Sequence, residues 1–389
     1  MRHRKAFSAF IACLALAGEL GAQSSQLGIR GLGYPNVPYS ARARAMAGST
    51  ALFDAESALN PASMAYPTEM TASFSLLGDR RNVEVPGASG DVRSMRFPMF
   101  SVVGPLRRQP LAFGVSVSTY LARDFSAVFR DTVDIRGVPT ETIDTLTSNG
   151  GVNDLRLATV WRVDPRFAIG GGIHAYTGVQ RMNRSRYFQD TGYVAITESA
   201  EVSAAGVGFD IGIVRRLSSR LWVGAVVRSD GHLTVRRDSL AGTEYPVDLP
   251  IALAAGFQWR PVNRLQLAGQ GRWQGWGSAD ADLRATGGPG SRDSWELGVG
   301  GEWIRHPERP ARLPLRFGLR HTTLPFPAAT GGDPAETAAT LGSGFSFRDG
   351  MGALDASLER VWRSEQGGLA EHAWLFTLTA SIRPNRRAR

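Results

Sequence analysis

The chain has 389 residues, 44 lysines and arginines against 35 aspartates and glutamates, a formal net charge of +9, and 43% hydrophobic residues. This hydrophobic content, together with 45 glycines and 9 tryptophans, excludes a disordered chain, and the length suffices for a large core. The basic residues are scattered arginines that form no stripe, which favours a solvated basic surface over a nucleic acid as partner.

The first 23 residues have the pattern of a secretory signal peptide. Three basic residues precede an apolar run from Ala6 to Gly18, and small residues follow it. We therefore predict a signal peptide over residues 1–23. The only cysteine, Cys13, lies within it, so the exported chain would fold without disulfides.

The next segment, RARAMAGSTALFDAESALNPASMA, runs from Arg42 to Ala65, is rich in small residues and shows no strand alternation. Asp54 can cap a short helix over DAESALN, which Asn60 ends because a residue before proline avoids the helical conformation. Asn60 can then cap a second helical turn that begins at Pro61. Gly48 and the other small residues would let this compact segment approach a wall closely.

From Thr68 onward the chain repeats segments with period-two hydrophobicity, each followed by a turn. In WELGVGGEW, the outward Trp295 and Trp303 are eight residues apart, which is about 20 Å along a strand tilted by ~40° and is close to the height of a lipid-facing band. In LPIALAAGFQW one face is formed by Leu249, Ile251, Leu253, Ala255, Phe257 and Trp259. The fourteen predicted strands are centred in 68–77, 92–103, 111–121, 154–163, 167–178, 200–214, 220–229, 249–259, 264–275, 294–304, 313–321, 338–347, 353–362 and 372–383.

The connections between these segments alternate in length. Short ones such as GPLRRQP and RPVN alternate with long polar stretches such as SADADLRATGGPGSRDS. This alternation is typical of an outer-membrane barrel, which has short periplasmic turns and long extracellular loops. A propeller or a sandwich is the competing fold, but neither predicts alternating turn lengths.

We therefore predict an all-β protein, a transmembrane antiparallel β-barrel of about fourteen strands over residues 67–384, followed by a basic tail over residues 385–389. A barrel of this size is too wide for its own side chains to fill the lumen. We expect residues 24–66 to form a small helical plug there, which we call the hatch.

The hatch sequence resembles the N-terminal signature of the outer-membrane long-chain fatty-acid and hydrocarbon transporter family (FadL-like). The matching residues are Arg44, Ala45, Gly48, Ala51, Asp54, Ser57, Ala58, Asn60, Pro61 and Ala62. The sequence departs from the family pattern at Ala47, where glycine is usual, and at Leu59, where an aromatic residue is common. The resemblance implies a hatch-plugged barrel that admits hydrophobic molecules, with Arg44, Gly48, Asp54, Ser57, Asn60, Pro61 and Ala62 shaping the hatch and its gating.

Several residues could carry other chemistry. His321 and Asp355 on late strands could be read as catalytic, but the sequence has no G-x-S-x-G motif and its histidines are isolated. Asp280 and Asp282 hint at a calcium loop without the full ligand pattern. Arginines in lumen-facing positions could meet a carboxylate head group or, as we expect, pair with acids of the barrel wall; these are Arg156, Arg162 and Arg316.

The function expected from the sequence is passive uptake of hydrophobic small molecules, such as long-chain fatty acids, across the outer membrane of a Gram-negative-type bacterium. We expect no enzymatic activity, no metal and no cofactor, and we expect a monomer surrounded by outer-membrane lipids. The alternative is a non-transport barrel of the same fold that acts as a cell-surface anchoring or secretion accessory protein. An apolar lumen pocket lined by Phe, Leu and Met would favour transport, and a polar packed lumen with an apolar patch on the loops would favour the accessory role.

Overall fold

The structure is a computed structural model, and it describes residues 25–384 except 86–87, 107, 191, 239–243, 309–311, 328–331, 348–349 and 366–367. The predicted signal peptide (1–23) and basic tail (385–389) therefore lie outside the described residues. Among the described residues, no helix combines the length and the apolar character needed to cross a membrane.

Fourteen antiparallel strands close into a barrel, because the last strand pairs with the first from Ala370↔Glu84 to Ile382↔Ala72. The strands are β1 (Thr71–Val85), β2 (Ala88–Pro105), β3 (Leu111–Ala122), β4 (Val138–Asp164), β5 (Phe167–Phe188), β6 (Ile196–Arg216), β7 (Leu221–Ser229), β8 (Ile251–Val262), β9 (Leu265–Gln274), β10 (Ser294–Trp303), β11 (Leu315–Thr323), β12 (Ala335–Phe347), β13 (Gly352–Ser364) and β14 (Ala370–Ile382). Each predicted segment overlaps one of them, so the strand count and the fold class are confirmed.

Side chains alternate between the outside and the lumen along these strands. On β10, Trp295, Leu297 and Val299 are exposed, while Glu296 and Glu302 are buried towards the lumen. Such an apolar outer surface suits lipid. Leu249 departs from the predicted outward face: it is only 4% exposed, because β8 begins two residues later and Leu249 packs in the cluster beneath the loops.

The two ends of the barrel differ in their connections, and we call them the short-turn end and the long-loop end. At the short-turn end, β4 and β5 are joined by residues 165–166, and β8 and β9 by residues 263–264. At the long-loop end, residues 275–293 carry a 3-10 helix (Trp276–Ala279) and a short α-helix (Asp280–Ala285). The predicted alternation fails at two connections of the long-loop end. The strands β1 and β2, of 15 and 18 residues, extend far enough to be joined across residues 86–87, and β13 and β14 are joined by residues 365–369.

The long polar stretch after β3 is not a loop throughout. Phe125–Ile135 forms an extra strand that pairs with the first part of β4, from Phe125↔Ser148 to Ile135↔Val138, around a turn at Arg136 and Gly137. Two further strands, His232–Asp238 and Glu244–Asp248, extend the sheet beside β6. Because β4 has 27 residues, at ~3.3 Å each it extends well past a ~25 Å apolar band, so these strands form a wall at the long-loop end.

Candidate functional site

The hatch runs through the lumen from one end of the barrel to the other. At the long-loop end, the Ser25 hydroxyl and the Gln26 backbone N–H donate to the two carboxylate oxygens of Glu371, each at 2.7 Å. At the short-turn end, the Pro61–Ala65 turn packs against Val103 of β2, Val160 of β4 and Val214 of β6. The hatch also contains a 3-10 helix (Gln26–Gly28) and a two-residue strand (Tyr34–Pro35) that pairs with β3.

The helical parts of the hatch agree with the sequence at one place and differ at another. The Asn60 side-chain oxygen accepts from the Ala62 N–H at 3.0 Å and caps the 3-10 helix Pro61–Ala65, which confirms the second predicted turn. The predicted helix over residues 54–60 is wrong, since these residues form turns. The Asp54 carboxylate instead accepts from the hydroxyls of Ser40 and Ser57, each at 2.6 Å, and so ties two hatch segments together.

The described part of the hatch contains one α-helix, α1 (Ala41–Ala45), which was not predicted from the sequence. It begins after Ser40, whose hydroxyl accepts from the Ala43 N–H at 3.1 Å. Gly48 follows it with φ +80°, a conformation that favours glycine. A Cβ on Gly48 would lie 2.6 Å from the Tyr39 ring. Gly48 therefore makes its close contact within the hatch and not, as expected, with the barrel wall.

Close approach between hatch and wall is instead provided by glycines of the wall. A Cβ built on Gly300 would lie 2.6 Å from the Met46 carbonyl oxygen, and one on Gly342 would lie 2.4 Å from the Ala45 Cβ. On the opposite wall, a Cβ on Gly212 would lie 2.0 Å from the Asn60 side-chain oxygen. The barrel thus admits the hatch backbone only because these wall positions lack a side chain.

Buried glutamates of β10 to β14 hold the first part of the hatch. Arg44, a residue of the predicted hatch motif, pairs with Glu359 at 3.1 Å, and Arg42 pairs with Glu302 at 3.2 Å. The hydroxyls of Tyr34 and Tyr39 donate to Glu336 and Glu296, respectively. Each of these four glutamates also pairs with an arginine of the wall; the pairs are Glu296–Arg272, Glu302–Arg316, Glu336–Arg320 and Glu359–Arg320.

The rest of the described wall meets the hatch without ion pairs. The Asn60 amide donates to the Ile213 carbonyl oxygen at 3.2 Å, the Asn36 amide donates to the Thr119 carbonyl oxygen at 2.9 Å, and Leu52 packs against Val226 and Ala254. Among the residues that the structure describes, every ion pair between hatch and wall involves β10, β13 or Arg383, which directly follows β14. By these contacts with the hatch, and not by the charges of the wall itself, we call β10 to β14 the charged side and β2 to β8 the neutral side.

Glu56 is the one acid of the hatch that contacts the wall. Its carboxylate accepts from the Ser381 hydroxyl at 2.8 Å and lies 3.5 Å from the Arg383 guanidinium. Burial raises the pKa of Glu56 to about 7, and the neighbouring carboxylates of Asp54 and Asp355 add to the rise. At neutral pH this buried carboxyl is therefore close to the midpoint of its titration.

Each of the three predicted lumen arginines has a partner in the wall or in the hatch. Arg156 pairs with Asp210 at 2.6 Å, and Arg316 pairs with Glu302 at 2.7 Å and with Asp355 at 2.5 Å, which confirms the expected pairing with wall acids. Arg162 differs, because its guanidinium donates to the Ala65 carbonyl oxygen of the hatch. The mid-lumen is thus polar and densely ion-paired.

The residues that could suggest catalysis are not brought together. His321 lies on the outer surface and shares a 3.0 Å hydrogen bond with Thr337, while Asp355 is paired with Arg316 inside the lumen. His174 is buried between Asp154, at 2.9 Å from Nδ1, and Asp210, at 3.3 Å from Nε2.

The predicted calcium hint is likewise not supported by geometry. Asp280 pairs with Arg284 at 2.9 Å and accepts the Ser291 N–H, and Asp282 accepts the Asp248 N–H at 2.9 Å. In the described part of the chain, no group of three or more acids, histidines or cysteines is placed to hold a metal ion.

A cavity of about 490 Å³ opens at the long-loop end between the hatch and the neutral side. Its apolar lining includes Leu32 of the hatch, Val152, Met182, Val202, Leu233 and Val235. Three arginines, Arg30, Arg123 and Arg237, also line it, and no acid of the described residues does. A second cavity of about 430 Å³ lies at the short-turn end and is more polar, with Arg42, Glu56 and Arg260 in its lining.

Arg123, which lines the first cavity, has a guanidinium group that is only partly hydrogen-bonded. Its guanidinium donates to the Ile29 carbonyl oxygen at 3.0 Å and to the Gln180 side-chain oxygen at 3.4 Å. Its Nε is buried without a partner, and among the described residues no carboxylate pairs with it. This arginine could therefore accept a further anionic partner from a ligand in the cavity.

The architecture defined above is a closed fourteen-strand barrel with a hatch across its lumen, and solved structures share it. No protein-family profile and no curated protein matches the chain. The crystal structure of a Pseudomonas aeruginosa FadL homologue matches with a TM-score of 0.63 and 16% identity, over 90% of this chain and 99% of that chain. The Pseudomonas putida toluene transporter TodX matches with a TM-score of 0.59 and 14% identity, over 90% of this chain and 100% of that chain. The CymD monoaromatic hydrocarbon channel matches with a TM-score of 0.55 and 14% identity, over 92% and 99%. The chain therefore has the FadL-like fold, and the resemblance seen in the hatch sequence is confirmed at the level of the fold.

Proposed function

We propose that the chain is an outer-membrane barrel for passive uptake of hydrophobic small molecules, with the hatch as its gate. The barrel is oriented in the membrane so that its short-turn end faces the periplasm and its long-loop end faces the exterior, as in barrels with short periplasmic turns. The fold is that of structures described as a toluene transporter and a monoaromatic hydrocarbon channel, which supports a hydrophobic ligand.

The observation that carries the proposal is the cavity at the long-loop end. Ligand sites are concave, mostly apolar and contain a few polar groups that orient the ligand. Here aliphatic side chains and three arginines share the lining, and one of these arginines, Arg123, has no carboxylate partner among the described residues. The ligand that fits this chemistry is an amphiphile with an anionic head and an apolar chain, such as a long-chain fatty acid.

A binding experiment with the detergent-purified barrel tests this assignment. A radiolabelled long-chain fatty acid should bind Arg123→Gln at least tenfold more weakly than the wild type, since a hydrogen bond to a charged group contributes about 1.5–3 kcal/mol. The matched control is Arg181→Gln, because Arg181 pairs with Glu201 on the exposed wall and does not line the cavity. An alcohol of the same chain length should bind both variants alike. Equal binding of the fatty acid to wild type and Arg123→Gln would contradict the proposed ligand class.

One observation favours the accessory alternative. The middle of the lumen is filled by buried ion pairs such as Arg320–Glu336 and Arg363–Glu336, each at 2.7 Å, and not by apolar side chains. Uptake of labelled fatty acid into cells that express the barrel distinguishes the two functions. A transport barrel raises the uptake rate over cells with empty vector, whereas an accessory barrel leaves it unchanged.

The orientation can be tested independently with single cysteines, because the exported chain has none of its own. Cysteine at Thr145, on the wall, or at Gly290, in a long loop, should react with an impermeant maleimide on intact cells. Cysteine at Ser218, in a short turn, should not react. Labelling at Ser218 alone would mean that the barrel is inverted.

A further inference from the structure

A small cavity in the middle of the lumen separates the hatch from the wall. Its volume is about 60 Å³, and Tyr34, Tyr39 and Arg44 of the hatch line one side of it. This volume exceeds the ~10–15 Å³ that holds one water molecule and is far too small for an acyl chain. The cavity is therefore distinct from the two large cavities at the ends of the barrel.

Five arginines and two glutamates line this cavity. They are Arg44, Arg96, Arg272, Arg320 and Arg363, with Glu296 and Glu336. Each glutamate already accepts from three donors: Glu336 from Arg320, Arg363 and the Tyr34 hydroxyl, and Glu296 from Arg272 and the hydroxyls of Tyr39 and Thr322. The carboxylates on the cavity therefore offer little further capacity for the arginines around it.

Three guanidinium N–H groups of this lining have no hydrogen-bond acceptor among the described residues. The Nε atoms of Arg44, Arg96 and Arg272 are buried and have no hydrogen-bond partner among the described residues. Arg44 and Arg272 are only 6% and 9% exposed, so bulk water does not solvate them. Buried donors without acceptors are costly and rare in folded proteins.

Arg96 of β2 is also poorly neutralised. Its closest carboxylate oxygen in an ion pair is Oδ2 of Asp79, at 3.9 Å, and the same oxygen lies 2.8 Å from the Arg81 guanidinium. An aspartate shared in this way compensates the nearer arginine first. Arg96 therefore brings positive charge to a cavity that already has unpaired donors.

We propose that this cavity binds a small monovalent anion of the size of chloride. A halide accepts several N–H donors at once and neutralises charge, whereas water supplies acceptors without charge. The three free donors come from α1 of the hatch, from β2 and from β9, so a bound anion would join the hatch to two distant parts of the wall. The inference does not depend on the ligand of the large cavity.

Chlorine-35 NMR on the purified full-length exported chain in uncharged detergent tests the site directly. Chloride exchanging with a buried site should broaden the signal in wild type, and bromide should reverse the broadening. Arg96→Gln and, separately, Arg44→Gln should lose the excess broadening. Arg181→Gln, an exposed wall arginine, should retain it and controls for non-specific surface association. Resistance to heat unfolding on gels shows that each variant remains a barrel.

The possible results separate three occupants of the cavity. Excess broadening that bromide reverses and the two lining variants abolish supports the halide site. Displacement by acetate at a concentration where bromide has no effect would overturn it and assign the cavity to carboxylates. Equal broadening in wild type, Arg96→Gln and Arg44→Gln would also overturn it, because chloride would then exchange with another part of the protein, and a wild type without excess broadening would leave water as the occupant of the cavity.

Discussion

The charged side and the neutral side hold the hatch by different kinds of interaction. On the charged side, buried glutamates pair with hatch arginines and accept from hatch tyrosines, as in Arg44–Glu359 and Tyr39–Glu296. On the neutral side, the hatch meets carbonyl oxygens, aliphatic side chains and glycines such as Gly212, and its one charged contact with a strand there is the hydrogen bond from the Arg162 guanidinium to the Ala65 carbonyl oxygen, among the described residues. The large cavity at the long-loop end also lies on the neutral side.

This difference indicates which side of the hatch can separate from the wall at lower cost. Breaking a buried ion pair leaves an uncompensated charge, whereas separating neutral packed surfaces costs only the lost contacts. We therefore expect the hatch to remain attached to β10 to β14 while it separates from β2 to β8. A ligand in the cavity would meet the side that separates more easily.

The largest effect is expected from breaking the charged side. Glu359→Gln would leave Arg44 and Arg320 without the carboxylate that they share, and loss of one partner of a buried pair costs about 3–5 kcal/mol. The hatch should become sensitive to protease and openings should become more frequent in planar bilayers. Glu201→Gln, in an exposed pair with Arg181, is the control and should change neither. Similar behaviour of both variants would remove the distinction between the two sides.

A smaller effect should follow from pH at Glu56. The pKa of Glu56 is about 7 in the docked hatch and should be ~4.3 when the side chain is solvated. Because the docked state binds the proton more tightly, docking is strongest in acid and weakens as the pH rises from about 4.3 to 7. Openings should therefore increase over this range, and Glu56→Gln should abolish the increase. An unchanged pH profile in Glu56→Gln would assign the titration to another group.

The smallest effect is expected on the neutral side. The Cβ of Gly212→Val would lie 2.0 Å from the Asn60 side-chain oxygen, whereas the Cβ of Gly171→Val would meet nothing closer than 3.5 Å. Overpacking costs about 1–3 kcal/mol, so Gly212→Val should raise opening modestly and Gly171→Val should not. The measurement is again the opening frequency in planar bilayers. A larger effect of Gly212→Val than of Glu359→Gln would reverse the proposed order of the two sides.

The barrel could be predicted from sequence because strand alternation is local. A residue such as Glu296 stands between Trp295 and Leu297, and this spacing alone predicts that it points into the lumen. The partners of Glu296, Tyr39 and Arg272, could not be predicted from spacing, since they depend on the hatch path and on strand pairing. A survey of lumen-facing acids opposite arginines of neighbouring strands would have drawn attention to these glutamates.

The hatch was less predictable for the same reason. The cap at Asn60 depends on residues two positions apart and was found, whereas the role of Asp54 depends on Ser40, fourteen residues earlier in the chain. The tight contact of Gly48 with Tyr39 is also set by how the hatch folds back on itself. The gating roles of the hatch motif residues remain predictions.

The most direct test of the account is deletion of the hatch. Removing residues 41–65 takes away α1, the Asn60 cap and the two arginines that pair with the wall, while the strand ladder of the barrel is left intact. The shortened chain should remain resistant to heat on gels, and its single-channel conductance in planar bilayers should rise clearly above that of the full-length exported chain. A folded deletion variant with the same low conductance would contradict the account, because something other than the hatch would then close the lumen.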